Sequence, residues 1–139
     1  MLSVQVRDIM TTSVICAAAD EPVAAAAQRM RDLDIGALPV RGHDDVLSGV
    51  VTDRDLVLRV LAEGADPCHV TVGGIVQDGV VTVSADAEIA DAARLMGQHR
   101  IRRLVVVSGR WVVGILSQGD LARALPEAVA GALAEAVSA

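Results

Sequence analysis

The sequence of 139 residues contains no lysine, phenylalanine or tyrosine, and it has only one tryptophan and two cysteines. Without lysine the protein can form no Schiff base and cannot carry a P-loop, whose lysine binds phosphate. With one aromatic side chain it offers no platform on which single-stranded nucleic acid could stack. Two cysteines are too few for a disulfide scaffold or for a complete thiolate metal site.

The charge is equally one-sided, because all twelve basic residues are arginine, eighteen residues are acidic and the formal net charge is −6. Such a field repels polyanions and anionic lipid surfaces. No long apolar run that could span a membrane appears, and the first ten residues carry charge where a signal peptide would be apolar. We therefore expect a cytoplasmic protein that binds neither nucleic acid nor a membrane.

The chain repeats itself at an offset of 66 residues. The matching apolar positions are Val6, Ile9, Val14, Ala26, Ala27 and Met30 in the first copy and Val72, Ile75, Val80, Ala92, Ala93 and Met96 in the second. The alignment of the two copies shifts by one residue where segment 42–45 of the first copy is matched with segment 108–110 of the second, and both segments are rich in turn residues. A fixed period predicts two copies of one structural unit. We place the copies at 5–64 and 65–125, followed by a C-terminal helix at 126–139.

Each copy predicts the same order of elements, with a short lead-in helix, a strand, an amphipathic helix, a hairpin and a second helix. The predicted ranges are helix 6–10, strand 14–16, a helix after Pro22, strands 38–41 and 46–51 and a helix from Thr52, repeated as strands 80–83, 104–107 and 111–116 and a helix from Ser117. We expect an α/β (α+β) protein of two β-α-β-β-α repeats. Because neither copy covers both faces of its sheet, we expect them to pack sheet to sheet with pseudo-two-fold symmetry.

In both copies the last strand runs into a hydroxyl residue and, three residues later, an aspartate: Thr52 and Asp55, then Ser117 and Asp120. One interpretation is a capping box, in which the hydroxyl caps the helix and the acid reaches back to the cap. The other is a nucleotide site, because the N–H groups of a helix start suit phosphate and a carboxylate suits the hydroxyls of a ribose. The residues alone leave both open.

The segment 99–103, His-Arg-Ile-Arg-Arg, is the only basic cluster in this acidic chain. It could be a solvated helix end, where arginine is favoured by the helix dipole. It could also bind phosphate. The corresponding part of the first copy carries Asp32 and Asp34 instead, so any preference for phosphate should differ between the two copies.

These features together resemble a pair of CBS (cystathionine β-synthase) domains, the arrangement called a Bateman module. Tandem β-α-β-β-α copies that each carry Gly-x-x-[Ser/Thr]-x-x-Asp at the last strand are typical of that family, and segments 34–40 and 49–55 are similar to standalone bacterial CBS-pair proteins, some linked to hypoxia or stress responses. The resemblance covers about residues 5–125. It implies a non-catalytic regulatory sensor that binds AMP, ADP, ATP or S-adenosylmethionine in clefts between the repeats and requires no cofactor.

The resemblance also implies the residues of two ligand sites. The first comprises Thr52, Arg54, Asp55, Val80, Val81, His99, Arg100, Arg102, Leu104 and Val105. The second comprises Ser117, Asp120, Val14, Ile15, Cys16, Leu38, Pro39 and Val40. The chain departs from the family pattern at Val105, since the usual proline is kept only in the first copy as Pro39, and at Gly119, where a larger residue is common. Because Asp32 and Asp34 would repel phosphate from the second site, we expect one tight site for a phosphorylated nucleotide.

Two other functions stay open on this sequence. The first is a ligand-free interaction module that acts by dimerisation. The second is a thiol or metal redox sensor based on Cys16 and Cys68, which His43 and His69 could join around a metal ion. We expect no enzyme, because no nucleophile, base and orienting group recur together. The resemblance implies a two-fold homodimer and an effector protein that the sequence does not identify. The apolar stripe of the tail, Val129, Leu133 and Val137, is expected to lie on the dimer interface or to cover the module.

Overall fold

The chain folds into two compact units, each with its own sheet. The computed structural model describes residues 4–42, 44, 46–76 and 80–138. One unit, Ile15–Val80, is a single stretch of chain and is called the continuous unit below. The other combines Met1–Val14 with Val81–Ala139 and is called the split unit. This α/β architecture with a β-α-β-β-α order in each repeat confirms the expected fold class.

The continuous unit builds a three-stranded sheet covered by helices. Its elements are β1 (Ala17–Ala18), α2 (Val23–Leu33), β2 (Ala37–Arg41), β3 (Leu47–Thr52), α3 (Asp53–Leu56), a π-helical turn (Val57–Leu61) and α4 (Val72–Ile75). Strand β2 is central, with β1 parallel on one side and β3 antiparallel on the other. The side chains of Val23, Ala26 and Met30, at helical spacing, close the core under this sheet.

The split unit repeats that plan. Its elements are α1 (Val6–Ile9), β4 (Thr82–Ser84), α5 (Ile89–His99), β5 (Arg103–Ser108), β6 (Trp111–Ser117), α6 (Gln118–Ala124) and α7 (Glu127–Ser138). Strand β5 pairs parallel with β4 and antiparallel with β6. Ala92 and Met96 are fully buried at the positions equivalent to Ala26 and Met30. The predicted hairpins and amphipathic helices are thus confirmed in both copies.

The first strand of each repeat lies further along the chain than the sequence pattern predicts. The prediction for Val14–Cys16 was wrong, because β1 is Ala17–Ala18, and the predicted 80–83 strand is β4 at Thr82–Ser84. In the first repeat the pairing explains the shift, since Ala17 lies opposite Val40 and is 1% exposed, whereas Ile15 is 44% exposed. The strand was predicted at the large apolar side chains of Val14 and Ile15, but the small side chain of Ala17 is the one that lies in the core.

Each short lead-in helix packs on the unit formed mainly by the other repeat. The N–H of Val6 in α1 donates to Ala87 O at 2.9 Å, and the N–H of Val72 in α4 donates to Glu21 O at 2.9 Å. Both valines are fully buried. The two repeats of the sequence therefore exchange their first segments, and this exchange is why one unit is made of two stretches of chain.

The C-terminal helix α7 covers part of the split unit. Leu133 and Val137 are each 6% exposed and belong to the same core as Leu121, while Val129 is exposed. Two of the three residues of the expected tail stripe therefore bury themselves within their own unit, against α5 and α6. In the ranges that the structure describes, we find no helix with the length and apolar character needed to cross a bilayer.

Candidate functional site

The hydroxyl-x-x-Asp motif of the continuous unit forms a complete capping box at the start of α3. Thr52 Oγ1 accepts a hydrogen bond from the N–H of Asp55 at 3.1 Å, and Asp55 Oδ2 accepts one from the N–H of Thr52 at 2.9 Å. The N–H of Asp53 donates to Gly36 O, and that of Arg54 donates to Asp53 Oδ1. The first amides of this helix therefore all have partners within the chain, so α3 presents none of them to a phosphate.

The split unit repeats this box at the start of α6. Ser117 Oγ accepts from the N–H of Asp120 at 3.1 Å, and Asp120 Oδ2 accepts from the N–H of Ser117 at 2.9 Å. The N–H of Gln118 donates to Arg102 O at 2.8 Å, in the same way that Asp53 uses Gly36. The capping interpretation is thus confirmed in both repeats, and it leaves one oxygen of each aspartate for other contacts.

The remaining carboxylate oxygens differ between the two boxes. Asp55 Oδ1 lies 3.6 Å from Arg59 Nε, beyond hydrogen-bond distance, and the Asp55 side chain is 16% exposed. Asp120 Oδ1 accepts a hydrogen bond from Arg123 Nη2, and its side chain is 10% exposed. The second oxygen of Asp55 is therefore the less engaged of the two acceptors.

The predicted basic segment lies at the end of α5, in the split unit. The helix ends at His99, and Arg100 adopts the left-handed conformation with φ +54°. His99, Arg100 and Arg102 are all exposed. The equivalent helix α2 ends at Leu33, and the next residue, Asp34, is also left-handed with φ +54°. The same backbone turn therefore presents positive charge in one unit and negative charge in the other.

Most apolar residues expected to line a ligand are instead core residues. Leu38 and Val40 of β2 and Leu104 and Val105 of β5 are at most 4% exposed, and Pro39 is buried as well. Their side chains are occupied by packing, so only their backbone could meet a ligand. The remaining apolar members of the two expected sets are Val14, Val80 and Val81, which are half-buried, and Ile15, which is exposed. Each expected set draws on both units, and a ligand role for these residues stays a prediction.

Cys16 precedes β1 and is half-buried beside two arginines. Arg29 Nη1 donates to Cys16 O at 2.7 Å, and Arg29 also forms an ion pair with Glu21. Burial raises the pKa of the Cys16 thiol, while the guanidinium groups of Arg41 and Arg29 oppose the shift. The sequence placed Cys16 on a strand, which is wrong by one residue. A raised pKa lowers the thiolate fraction, so this cysteine is a poor nucleophile at neutral pH.

The second candidate thiol, Cys68, lies in an exposed turn with His69. Asp66 accepts from the N–H of Cys68 at 2.9 Å, which lowers the pKa of Asp66, and its other oxygen lies 2.7 Å from His69 Nδ1. His43 lies outside the described residues. Among the residues that the structure does describe, no three potential ligands gather around one point.

The sequence interpretation missed the arginines that touch the two aspartates. Arg59 follows Asp55 by four residues, and Arg123 follows Asp120 by three. This helical spacing places an acid and a base on one face, so the pairs could have been read from the sequence. It also missed Asp53, whose carboxylate packs so closely against Gly36 that a Cβ at that position would lie only 3.0 Å from Asp53 Oδ2.

Comparison with protein families identifies this scaffold. The family model described as CBS domain matches residues 6–62 and again 72–127. The chain therefore belongs to the CBS domain family and carries two copies of the domain, as the repeat and the paired capping boxes indicated.

Individual relatives agree with this assignment. The chain is 46% identical to Hypoxic response protein 1 of Mycobacterium tuberculosis, over 87% of this chain and 85% of that protein. It is 38% identical to the CBS domain-containing protein YhcV of Bacillus subtilis, over 84% and 82%. CBS-pair proteins are generally regulatory modules rather than catalysts.

Solved structures of two relatives were determined with bound ions or ligands. That of Hypoxic Response Protein I, with two coordinated zinc ions, has a TM-score of 0.81 and 44% identity, over 88% of this chain and 100% of that one. The CBS domain pair of protein MJ0100, in complex with 5′-methylthioadenosine and S-adenosylmethionine, has a TM-score of 0.75 and 27% identity, over 88% and 96%. Adenosyl ligands thus bind to at least one relative with this fold.

Proposed function

We propose that this protein is a non-catalytic cytoplasmic sensor that binds an adenosyl ligand of the AMP, ADP, ATP or S-adenosylmethionine class. As a homodimer it reports the presence of that ligand to an effector protein. The observation that carries the proposal is the second oxygen of Asp55, which the capping box does not use and which lies beyond hydrogen-bond distance of Arg59 Nε. A carboxylate oxygen that the capping box does not use can accept a hydrogen bond from a ribose hydroxyl.

Phosphate recognition is assigned to Arg100 and Arg102. Both side chains are exposed, and the family resemblance is the ground on which the proposal groups them with Asp55 in one expected ligand set. The distribution of charge supports the assignment. The split unit, which contains both arginines, has seven arginines against seven acids, whereas the continuous unit has five against eleven and carries the whole net charge of −6. An anionic phosphate is repelled less by the neutral unit.

The bound adenosyl compounds of protein MJ0100 support the ligand class. The name of Hypoxic response protein 1 supports a role in a stress response. A ligand-free interaction module is the alternative, and it predicts that none of these compounds changes the stability of the protein. An adenosyl ligand at about 100 times its dissociation constant adds roughly 2.7 kcal/mol to the free energy of unfolding.

Calorimetric titration with AMP tests the proposal. Asp55→Asn keeps one oxygen for the cap and loses the charge and the second acceptor, so we expect affinity to fall about tenfold to a hundredfold. The matched control is Asp120→Asn, because Asp120 already uses both oxygens within the chain, and we expect AMP affinity to change less than threefold. Equal affinity of the wild type and Asp55→Asn would remove Asp55 from the site. Absence of any heat or thermal shift with AMP, ATP and S-adenosylmethionine would favour the ligand-free module.

A further inference from the structure

The thioether of Met10 lies directly against the backbone of Gly114 in β6. A Cβ atom at Gly114 would stand 2.5 Å from Met10 Sδ, 3.0 Å from Met10 Cγ and 3.0 Å from Thr11 O. No ordinary side chain tolerates a contact of 2.5 Å, so only glycine leaves room for this sulfur. The glycine that precedes the hydroxyl-x-x-Asp motif of this repeat therefore lets the chain that follows α1 pack closely on the sheet.

Backbone hydrogen bonds fix residues 5–12, called the lead-in segment below, on either side of this contact. Before it, the N–H of Val6 donates to Ala87 O at 2.9 Å. After it, Thr11 and Ile115 exchange two hydrogen bonds, of 2.9 Å and 3.0 Å. An atom added at the sulfur therefore pushes against a segment that is held at both ends, and the segment can move away only by breaking hydrogen bonds.

Met10 is also more accessible than the other two methionines that the structure describes. Met30 is 6% exposed and Met96 is fully buried, whereas Met10 is half-buried and packs against the core from its edge. Oxidation of a thioether depends on the access of the oxidant to the sulfur. At the offset of 66 residues the other repeat carries Val76 instead, so the two repeats differ in a residue that peroxide can oxidise.

We propose that Met10 is a site of reversible oxidation by hydrogen peroxide, and that its oxidation releases the lead-in segment from the split unit. The sulfur takes one oxygen atom from the peroxide and is oxidised to the sulfoxide, while the peroxide is reduced to water. The added oxygen needs space that the contact with Gly114 does not leave, and it is polar where the thioether packs against the core.

The oxidation gives the protein an input that is separate from its ligand. A methionine sulfoxide reductase removes the oxygen again, so the change can be reversed. Met10 belongs to neither expected ligand set, and the hydrogen bonds that hold the lead-in segment all lie within the split unit. Peroxide would therefore loosen one of the two units and leave the other as it is.

Peroxide treatment of the full-length chain, followed by peptide mass spectrometry and hydrogen exchange, tests the site. We expect Met10 to be oxidised at least about tenfold faster than Met30 and Met96, whose sulfurs are buried. In the oxidised protein we expect the amides of the lead-in segment and of Ile115 to lose protection, while those of the continuous unit keep it. We expect the midpoint of thermal unfolding to fall by about 3 to 6 °C, and a methionine sulfoxide reductase to restore it.

Two variants and one control isolate the sulfur of Met10. Met10→Leu keeps the approximate volume of the side chain and cannot form a sulfoxide, so we expect peroxide to leave its midpoint unchanged. Dithiothreitol is added to all samples before measurement, because it reduces disulfides and sulfenic acids but not sulfoxides. Met10→Gln places a polar group at this position without any oxidant, and we expect the same loss of protection. The matched control is Met30→Leu, which we expect to respond to peroxide as the wild type does.

The possible outcomes distinguish the site from its effect on the fold. Oxidation of Met30 or Met96 before Met10 overturns the assignment of the site. An oxidised Met10 that leaves the lead-in segment as protected as before overturns the release, and so does an equal fall of the midpoint in peroxide-treated Met10→Leu. No nucleotide is present in these measurements, so their result does not depend on the ligand proposal.

Discussion

The continuous and split units have the same backbone plan and opposite surface chemistry. Their capping boxes agree to within 0.1 Å in the hydrogen bonds, and both central helices end in a left-handed residue. Yet that residue is Asp34 in one unit and Arg100 in the other, and the whole net charge lies in the continuous unit. The repeat thus preserves the hydrogen bonds and backbone turns that hold the fold together, while the charged residues at those turns have diverged.

A second difference between the units is how deeply the helix after the last strand is buried. In the split unit, Leu121 of α6 is fully buried and α7 packs alongside. In the continuous unit the equivalent Leu56 is only half-buried, and the exposed side chains of Val57, Leu58 and Leu61 follow it. The split unit therefore buries more of the apolar surface of its last helix within the chain than the continuous unit does.

The largest effect that tests this comparison is on stability. Leu121→Ala removes a fully buried side chain, and we expect it to reduce the free energy of unfolding by about 2 to 5 kcal/mol. Leu56→Ala removes the equivalent, half-buried side chain, and we expect a loss of about 1 kcal/mol. Urea unfolding followed by circular dichroism measures both. Equal losses would mean that the two last helices are buried alike.

The next effect concerns charge at the equivalent left-handed positions. Arg100→Asn removes the positive charge with a residue that tolerates this backbone conformation. We expect AMP affinity to fall about tenfold, or 1.4 kcal/mol, while adenosine affinity is unchanged because adenosine lacks the phosphate.

Asp34→Asn is the matched change in the other unit, and we expect it to leave AMP affinity as it is. Titration calorimetry with both ligands measures these effects. Two equivalent AMP sites per chain, or equal losses for AMP and adenosine in Arg100→Asn, would assign the arginine cluster to the solvated surface alone.

The smallest effect tests what the two units share. Thr52→Ala and Ser117→Ala each remove the oxygen that caps the last helix, and we expect each to cost about 1 kcal/mol of stability. Thermal unfolding compares the two variants with Thr12→Ala, an exposed threonine outside both boxes. If only one of the two cap variants is destabilised, the boxes are alike in geometry but not in energy.

Much of this fold could be predicted because its signals are local. The helical spacing of Val23, Ala26 and Met30 and the hydroxyl-x-x-Asp motif depend only on neighbours in sequence. The repeat appears when the chain is aligned with itself at an offset of 66 residues. The exchange of lead-in helices could not be predicted, because no pattern in the sequence around Val6 indicates that its N–H bonds to Ala87 O in the other repeat. The exposure of Val57, Leu58 and Leu61 could not be predicted for a related reason. Leu56 to Leu61 is apolar at every position but one, so periodicity does not show which face is buried.

The sequence did not distinguish between the two aspartates of the expected ligand sites. The sequence singled out Asp55 and Asp120 equally, whereas the contacts of Arg59 and Arg123 make the two carboxylates unequal. Leu38, Val40 and Leu104 entered the expected ligand sets through the family resemblance, and the structure shows that packing occupies their side chains. Side-chain competition of this kind depends on three-dimensional neighbours, which a motif does not record.

The exchange of lead-in helices also gives the chain an order of folding. The continuous unit needs only residues 15–80 and can acquire its core as soon as that stretch has been synthesised. The split unit must wait for its first contacts, because α1 finds Ala85 and Ala87 only after the whole of the other unit has been made. Closing a loop of that length is entropically unfavourable unless the intervening residues are already compact. A continuous unit that folds first shortens this closure, so we expect α1 to reach its native partners only after the core of the continuous unit has formed.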